Sequence, residues 1–208
     1  MMKQADCIGI YLAAGKSTRM GKDKLSLPFK NGVLGNSALE VAKKSKIDHI
    51  AAITKEKEKQ HWLKEQQIID RKISILACKD ADKGQANSIK CGVKFAKALK
   101  AKAVVILLAD QPLINENLVN QLIDTYHDLM NTGKEVHYVA SSFKGVVQPP
   151  ILFKDTCFPE LLQLEGDKGA RSLIRMKDDD RGVIIECDDW RCFYDVDTEE
   201  DYRWIMGI

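Results

Sequence analysis

No two cysteines in this chain are spaced as C-x-x-C; the six lie at positions 7, 78, 91, 157, 187 and 192. That argues against the commonest structural zinc arrangements and a thioredoxin-like redox pair. Reduced thiols, serving mainly as packing residues in a cytoplasmic protein, are the expectation. No apolar run is long enough to cross a bilayer. The N-terminal one, residues 7–14, follows Asp6 and leads into a basic segment, so it reads neither as an anchor nor as a secretory leader. Excess charge of one sign is also missing: 32 Lys and Arg against 30 Asp and Glu leave +2, which gives no global pull toward nucleic acid or an anionic membrane. The four histidines, at 49, 61, 127 and 137, share no spacing, and no histidine-based nucleophile or metal cluster follows from them.

Repeats and low-complexity tracts are absent as well. With 208 residues, 45% hydrophobic and 30% charged, the chain fits one globular domain over 1–208. Its charges are segregated along that length. Residues 1–64 carry thirteen Lys and Arg against six Asp and Glu, whereas 178–201 carry two Arg against eleven acids. A phosphate-binding half facing a cation-binding half has this pattern, and so does solvated surface charge.

The order of elements gives the fold class. Residues 5–13 read as a buried strand ending at Gly15, followed by a helix over 39–46, a strand over 49–54, a charged helix over 56–67 and a strand over 73–77. After Gly84, residues 86–99 are helical, with Ile89, Val93 and Ala96 at helical spacing. The run "AVVILLAD" holds seven apolar residues stopped by Asp110, the signature of a central strand buried on both faces. A helix over 115–130 follows, then strands at 136–142 and 151–153 around the turn chemistry of "KGVVQPP". Gly166 leads into a helix reaching Ile174, residues 182–187 form a strand, and a capping box of Thr198 and Asp201 opens a helix over 198–206. This alternation predicts an α/β fold, a Rossmann-like three-layer sandwich with a mostly parallel mixed sheet.

In such sheets ligands lie beyond the carboxyl ends of the strands, where the sequence places "IYLAAGKSTRMGKDKLSLPF". Gly15 allows close backbone approach. Arg19 offers a planar fork, and Lys16, Lys22 and Lys24 offer point charges, to phosphate oxygens, so a triphosphate is the natural guest. A Walker A loop would need glycine at Ile10, and a dinucleotide fingerprint would need it at Ser17; neither a P-loop kinase nor a dehydrogenase is supported. Taken alone, four basic residues fit a surface of solvated lysines equally well.

The whole segment "LAAGKSTRMGKDKLSLPF" resembles the signature of nucleotidyltransferases of the nucleotide-diphospho-sugar transferase fold. It is more narrowly similar to the molybdenum-cofactor nucleotidyltransferases, including the cytidylyltransferases that mature xanthine dehydrogenase-type enzymes of purine catabolism. The resemblance runs from residue 8 to 202. It implies a nucleotide site at Leu12, Ala13, Ala14, Gly15, Lys16, Ser17, Arg19 and Lys24, in which the Ala-Ala-Gly backbone reads the base while Arg19 and Lys24 hold the triphosphate. "GQANSIKCGV" resembles a helix opening of the same family, which adds Gly84 and Ser88, with Gln85 beside them. Ala14 favours CTP over GTP, although sugar and isoprenoid nucleotidyltransferases carry alanine there too.

Asp110 matches the Asp-x-Pro aspartate of the family, and "YDVDTEEDY" resembles its Asp-x-(Asp/Asn)-Thr-Pro-Glu-Asp. The resemblance implies catalytic roles for Arg19, Lys24 and Asp110, with Mg²⁺ held by Asp110 and Asp197. Glu199 stands where proline is usual, and proline there only pre-sets the first helical turn. From placement alone Asp110 reads equally as a cap of the "DQP" turn, and Asp195 and Asp197 as acids favoured by a helix dipole. "EGDKGARSLI" is similar to the molybdopterin cytidylyltransferase side and implies acceptor binding by Gly166, Asp167, Lys168 and Arg171; alone it is a basic helix start. Gln148 departs from the histidine common before proline in relatives. The expected function is transfer of CMP from CTP to the phosphate of a molybdopterin-type acceptor, with docking to an apo molybdenum hydroxylase as a possible accompaniment. Rival readings are guanylyl or other nucleotidyl transfer, and a cofactor carrier without chemistry, for which Asp110 would be dispensable.

Overall fold

Strand β1 (Cys7–Leu12) is buried at every position, and the computed structural model, which describes residues 6–17, 19–55, 61–175 and 181–208, is layered around it. A short hairpin, β2 (Pro28–Phe29) and β3 (Gly32–Val33), leads into α1 (Leu34–Lys44), β4 (His49–Lys55), α2 (Glu65–Ile68), β5 (Ile73–Cys78), α3 (Gln85–Ala98) and β6 (Ala103–Leu108). Then follow α4 (Glu116–Asn131), β7 (Tyr138–Phe143), β8 (Val146–Lys154), α5 (Phe158–Leu161), α6 (Arg171–Arg175), β9 (Gly182–Glu186) and α7 (Glu199–Met206). The main sheet has the order β5-β4-β1-β6-β8-β7-β9. All its neighbours pair in parallel except β8, which runs antiparallel to both β6 and β7.

Successive side chains of a strand point to opposite faces, and each face here carries its own core. Cys7, Tyr11, Ala103, Val105 and Leu107 pack with α1, α4 and α7 on one side. Ile8, Ile10, Leu12, Val104 and Ile106 pack with α3, α5 and α6 on the other. The result is the three-layer α/β sandwich with a mostly parallel mixed sheet. Among the described residues no helix is long and apolar enough to cross a membrane.

Several boundaries differ from the sequence expectation. Helix α1 begins at Leu34 rather than 39: Gly35, Asn36 and Ser37 are weak helix formers, but Leu34 and Gly35 are wedged into the core beside Leu25 and Trp62. Of the helix expected over 56–67, residues 56–60 lie outside the described residues; a turn follows, and only Glu65–Ile68 is helical. The turn lets Trp62 sink to 1% exposure, tilted against Tyr11 at 6.0 Å. The strand expected over 151–153 is the end of a longer one, and the turn lies earlier, at Lys144 and Gly145, both with positive φ. Pro149 and Pro150 cannot donate to a ladder; the β7–β8 register shifts between Ala140 and Ser141, and the Ser141 hydroxyl lies 2.9 Å and 2.8 Å from the carbonyl oxygens of Gln148 and Pro150.

His49, at the start of β4, is 9% exposed, lies 2.9 Å from the Ser74 hydroxyl and stacks on Phe95. Burial lowers its pKa below the ordinary 6.5. Its contribution to stability is therefore complete above the unfolded value and is lost as pH falls through the lowered folded one. Urea midpoints should drop between about pH 7.5 and pH 5.5, and His49→Gln should flatten that drop; an unchanged slope would show that His49 does not carry it.

Candidate active site

Three distant segments meet beyond the carboxyl ends of β1 and β6. In the first, the Ser17 carbonyl accepts from the N–H groups of Met20 and Gly21 at 3.2 Å and 3.1 Å, and the Asp23 carboxylate accepts from Leu25 N–H at 3.1 Å to cap a 3-10 turn, Lys24–Ser26. Lys24 N–H also donates to the Ser17 hydroxyl at 3.2 Å. These bonds fold the basic loop back on itself and bury Lys24 to 6% exposure. The second segment is Asp110, just past β6. The third is the run before α7: Val196 N–H donates to the Asp110 carbonyl at 2.9 Å, and the Asp201 carboxylate accepts from the N–H groups of Asp197 and Thr198 at 3.0 Å and 2.7 Å. This is the capping box read in the sequence, and it fixes the backbone that carries Asp197.

At the meeting point Lys24 Nζ lies 2.7 Å from Asp110 Oδ2 and 2.9 Å from Asp197 Oδ1, while Arg19 Nη1 lies 2.6 Å from Asp197 Oδ2. Burial alone would pull the Lys24 pKa down, but Asp110 and Asp197 outweigh it and hold the ammonium above its ordinary value. Burial alone would likewise raise Asp197, and Lys24 with Arg19 instead holds it below the usual carboxylate range. Asp195 makes no such ion pair among the described residues. It opens to crevice solvent and takes a hydrogen bond from Gln111, yet the walls around it, and then the neighbouring Asp110 charge, push its carboxyl up to about 7.

Two cavities adjoin this junction. One, of about 200 Å³, is lined by Leu12, Ala14, Gly15 and Lys16 from the first loop and by Gly84 and Ser88 at the start of α3. The other, of about 390 Å³, is lined by Arg19, Asp197, Arg171, Gln148, Asp195 and Gln111, among others. Leu12, Gln85, Leu108, Asp110 and Asp167 line both.

Of the residues singled out from sequence, Lys24 lies between the two carboxylates without lining either cavity, and Ser17 supports it from behind. Ala13 points into the core beneath the sheet. Gly166 turns its carbonyl to Ala86 N–H at 3.1 Å, and Lys168 is exposed and lines neither cavity. Asp195 opens the same acidic motif as Asp197, and both line the larger cavity, as residues two apart in an extended run do; Gln111, 1% exposed in the turn after β6, is the lining residue that no motif pointed to. Among the described residues no three His, Cys, Asp or Glu side chains form a metal-binding cluster. The paired oxygens of Asp110 and Asp197 nonetheless suit a hard cation such as Mg²⁺, which takes one or two carboxylates and completes its shell with phosphate oxygens and water, and the charge now between them is the Lys24 ammonium.

A three-layer α/β sandwich with this cation–carboxylate junction at the strand ends is of the nucleotidyltransferase class. The model of the MobA-like NTP transferase domain matches residues 9–182, and the chain belongs to that family. It is 36% identical to the purine catabolism protein PucB of Bacillus subtilis strain 168, over 98% of each chain. It is 23% identical to the molybdenum cofactor cytidylyltransferase of Escherichia coli K12, over 97% of this chain and 95% of the relative. Rv0371c of Mycobacterium tuberculosis H37Rv shares the fold, with a TM-score of 0.77 at 22% identity over 98% and 99% of the two chains; its structure in complex with manganese aligns at 0.71 and 22% identity over 97% and 98%.

Lys24→Met should leave Asp110, Asp195 and Asp197 facing one another without the buried cation. Because the carboxylates reach crevice water, the expected loss is about 1–3 kcal/mol rather than that of a fully buried pair, read by equilibrium unfolding at low ionic strength and reduced by added salt. Stability equal to that of the parent would mean that Lys24 does not hold the junction together.

Proposed function

We propose that the chain transfers CMP from CTP to the terminal phosphate of a molybdopterin-type acceptor, releasing pyrophosphate, in the maturation of a xanthine dehydrogenase-type enzyme. The observation that carries this reading is the Lys24 ammonium held at 2.7 Å and 2.9 Å by Asp110 and Asp197, where the two cavities meet. In the reaction an acceptor phosphate oxygen forms a bond to the α-phosphorus, and the bond from that phosphorus to the oxygen bridging to the β-phosphate breaks. The acceptor oxygen is already anionic, so no strong base is needed, and positioning with charge neutralisation carries the rate.

The small cavity takes the nucleoside, with the backbone from Ala13 to Gly15 against the base and Gly84 and Ser88 toward the ribose. Arg19 and Lys24 exchange part of their carboxylate contacts for triphosphate oxygens, Lys24 at the α-phosphate, with Lys16 at the rim. Asp110 and Asp197 would hold Mg²⁺, which would neutralise charge on the phosphate oxygens when bound. The larger cavity takes the acceptor between Arg171, Asp167 and Gln148. The curated relatives named for purine catabolism and for cytidylyl transfer support both the base and the acceptor, and Ala14 on the wall of the small cavity supports CTP.

Pyrophosphate release measured with molybdopterin and each of the four ribonucleoside triphosphates should be fastest with CTP; turnover confined to a sugar or alditol phosphate acceptor would overturn the assignment. Asp110→Asn should lower kcat by at least about 100-fold with circular dichroism still that of the folded chain, the Tm falling only as far as the loss of one of the two anions beside Lys24 requires. If a hydroxylase is still matured at the parental rate with this variant, the chain acts as a carrier rather than as a catalyst.

A further inference from the structure

The acceptor-side loop is built onto the start of α3. Helix α3 has no side-chain cap; its N-cap is Gly84, and the first N–H groups of a helix lack intrahelical partners. One of them, on Ala86, donates to the carbonyl of Gly166 at 3.1 Å. Gly84 itself has φ 124° and ψ 163°, a conformation open essentially to glycine, and a Cβ placed there would meet the Gly166 carbonyl oxygen at 2.2 Å. One residue on, the side chain of Gln85 lies against Gly169, where an added Cβ would sit 2.6 Å from Gln85 Oε1. Gln85 also lines both the 200 Å³ and the 390 Å³ cavities.

We propose that Gln85 is a positioning residue that couples the two compartments: occupancy of the nucleotide side is passed through its contact with Gly169, and through the Gly84–Gly166 backbone contact, to the loop 165–170 that lines the acceptor side. Nucleotide and acceptor then each raise the affinity for the other by the same factor, as linkage requires. The inference rests on the nucleotidyl-transfer reading and adds to it a residue that joins the two substrates without reacting with either. No rearrangement of the sheet is needed, because the contact joins one helix start to one loop.

The test uses the full chain with Mg²⁺ and the non-hydrolysable α,β-methylene analogues of CTP, GTP, UTP and ATP. Calorimetry of each analogue with and without molybdopterin gives the mutual factor, and hydrogen exchange of residues 163–171 reports the loop. In the parent, the analogue that binds should slow exchange in the loop and tighten molybdopterin by at least about fivefold. Gln85→Ala should bring the factor close to one and leave the loop unprotected. Gly169→Ala, whose methyl displaces Gln85, should do the same, and the double variant should be no worse than Gln85→Ala alone, a non-additivity that a generally weakened fold would not produce. A parental factor in Gln85→Ala, additive effects in the double variant, or nucleotide binding without loop protection would each overturn the coupling while leaving the proposed reaction in place. Failure of all four analogues to bind would remove both.

Discussion

A lysine ammonium at 6% exposure is tolerated only where anions replace its water, and the anions that hold it would repel one another without it. Lys24, Asp110 and Asp197 satisfy this mutual requirement, and they do so from the first loop, the end of the central strand and the approach to the last helix. The junction is therefore a long-range fastener as well as a site. Asp110 and Asp197 hold Lys24 and Arg19 as ion pairs, while Asp195 stands beside them. Asp195 makes no direct ion pair among the described residues, and burial and the Asp110 charge raise its carboxyl pKa.

The sheet explains why these segments meet. Parallel neighbours β1 and β6 end at one level, with Ala109 N–H donating to the Leu12 carbonyl at 3.1 Å, so the loops that follow them are adjacent by construction. Strand β8 runs the other way, and its register places Ile151 opposite Ile106, which brings its earlier residues Gln148 and Pro149 to the same edge. One antiparallel strand in an otherwise parallel sheet thus supplies a wall for the crevice that a parallel strand would have carried to the far side.

Much of this was legible in the sequence where one local signal dominates. The apolar run stopped by Asp110 marks a strand buried on both faces, and Thr198 with Asp201 marks the start of α7, because both depend on neighbours within a few residues. The basic loop was legible as a phosphate-seeking segment, although nothing local says that Lys24 is buried while Arg19 has a side chain 69% exposed. The misses have a common physical origin in tertiary contacts. Leu34 and Gly35 are helical because Leu25 and Trp62 hold them, and "QPP" is strand because Ser141 meets the carbonyls that the broken ladder leaves. Gln111, which reads as an ordinary turn position, is 1% exposed and hydrogen-bonds Asp195, a contact between distant segments.

The two cavities draw on different parts of the chain. The small cavity is walled mainly by the first loop and the start of α3, with Leu108, Asp110 and Asp167 closing it; the larger one adds Gln148, Pro149, Arg171, Asp195 and Asp197, among others. Asp110 is common to both, as are Leu12, Gln85, Leu108 and Asp167, so the two cavities share one boundary. Ala14 belongs to the wall of the small cavity, whereas the polar side chains of Gln148, on β8, and Arg171 belong to the larger one. The start of α3, capped by the Gly166 carbonyl of the opposite wall, ties the two walls to one register, so a shift of either is felt by the other.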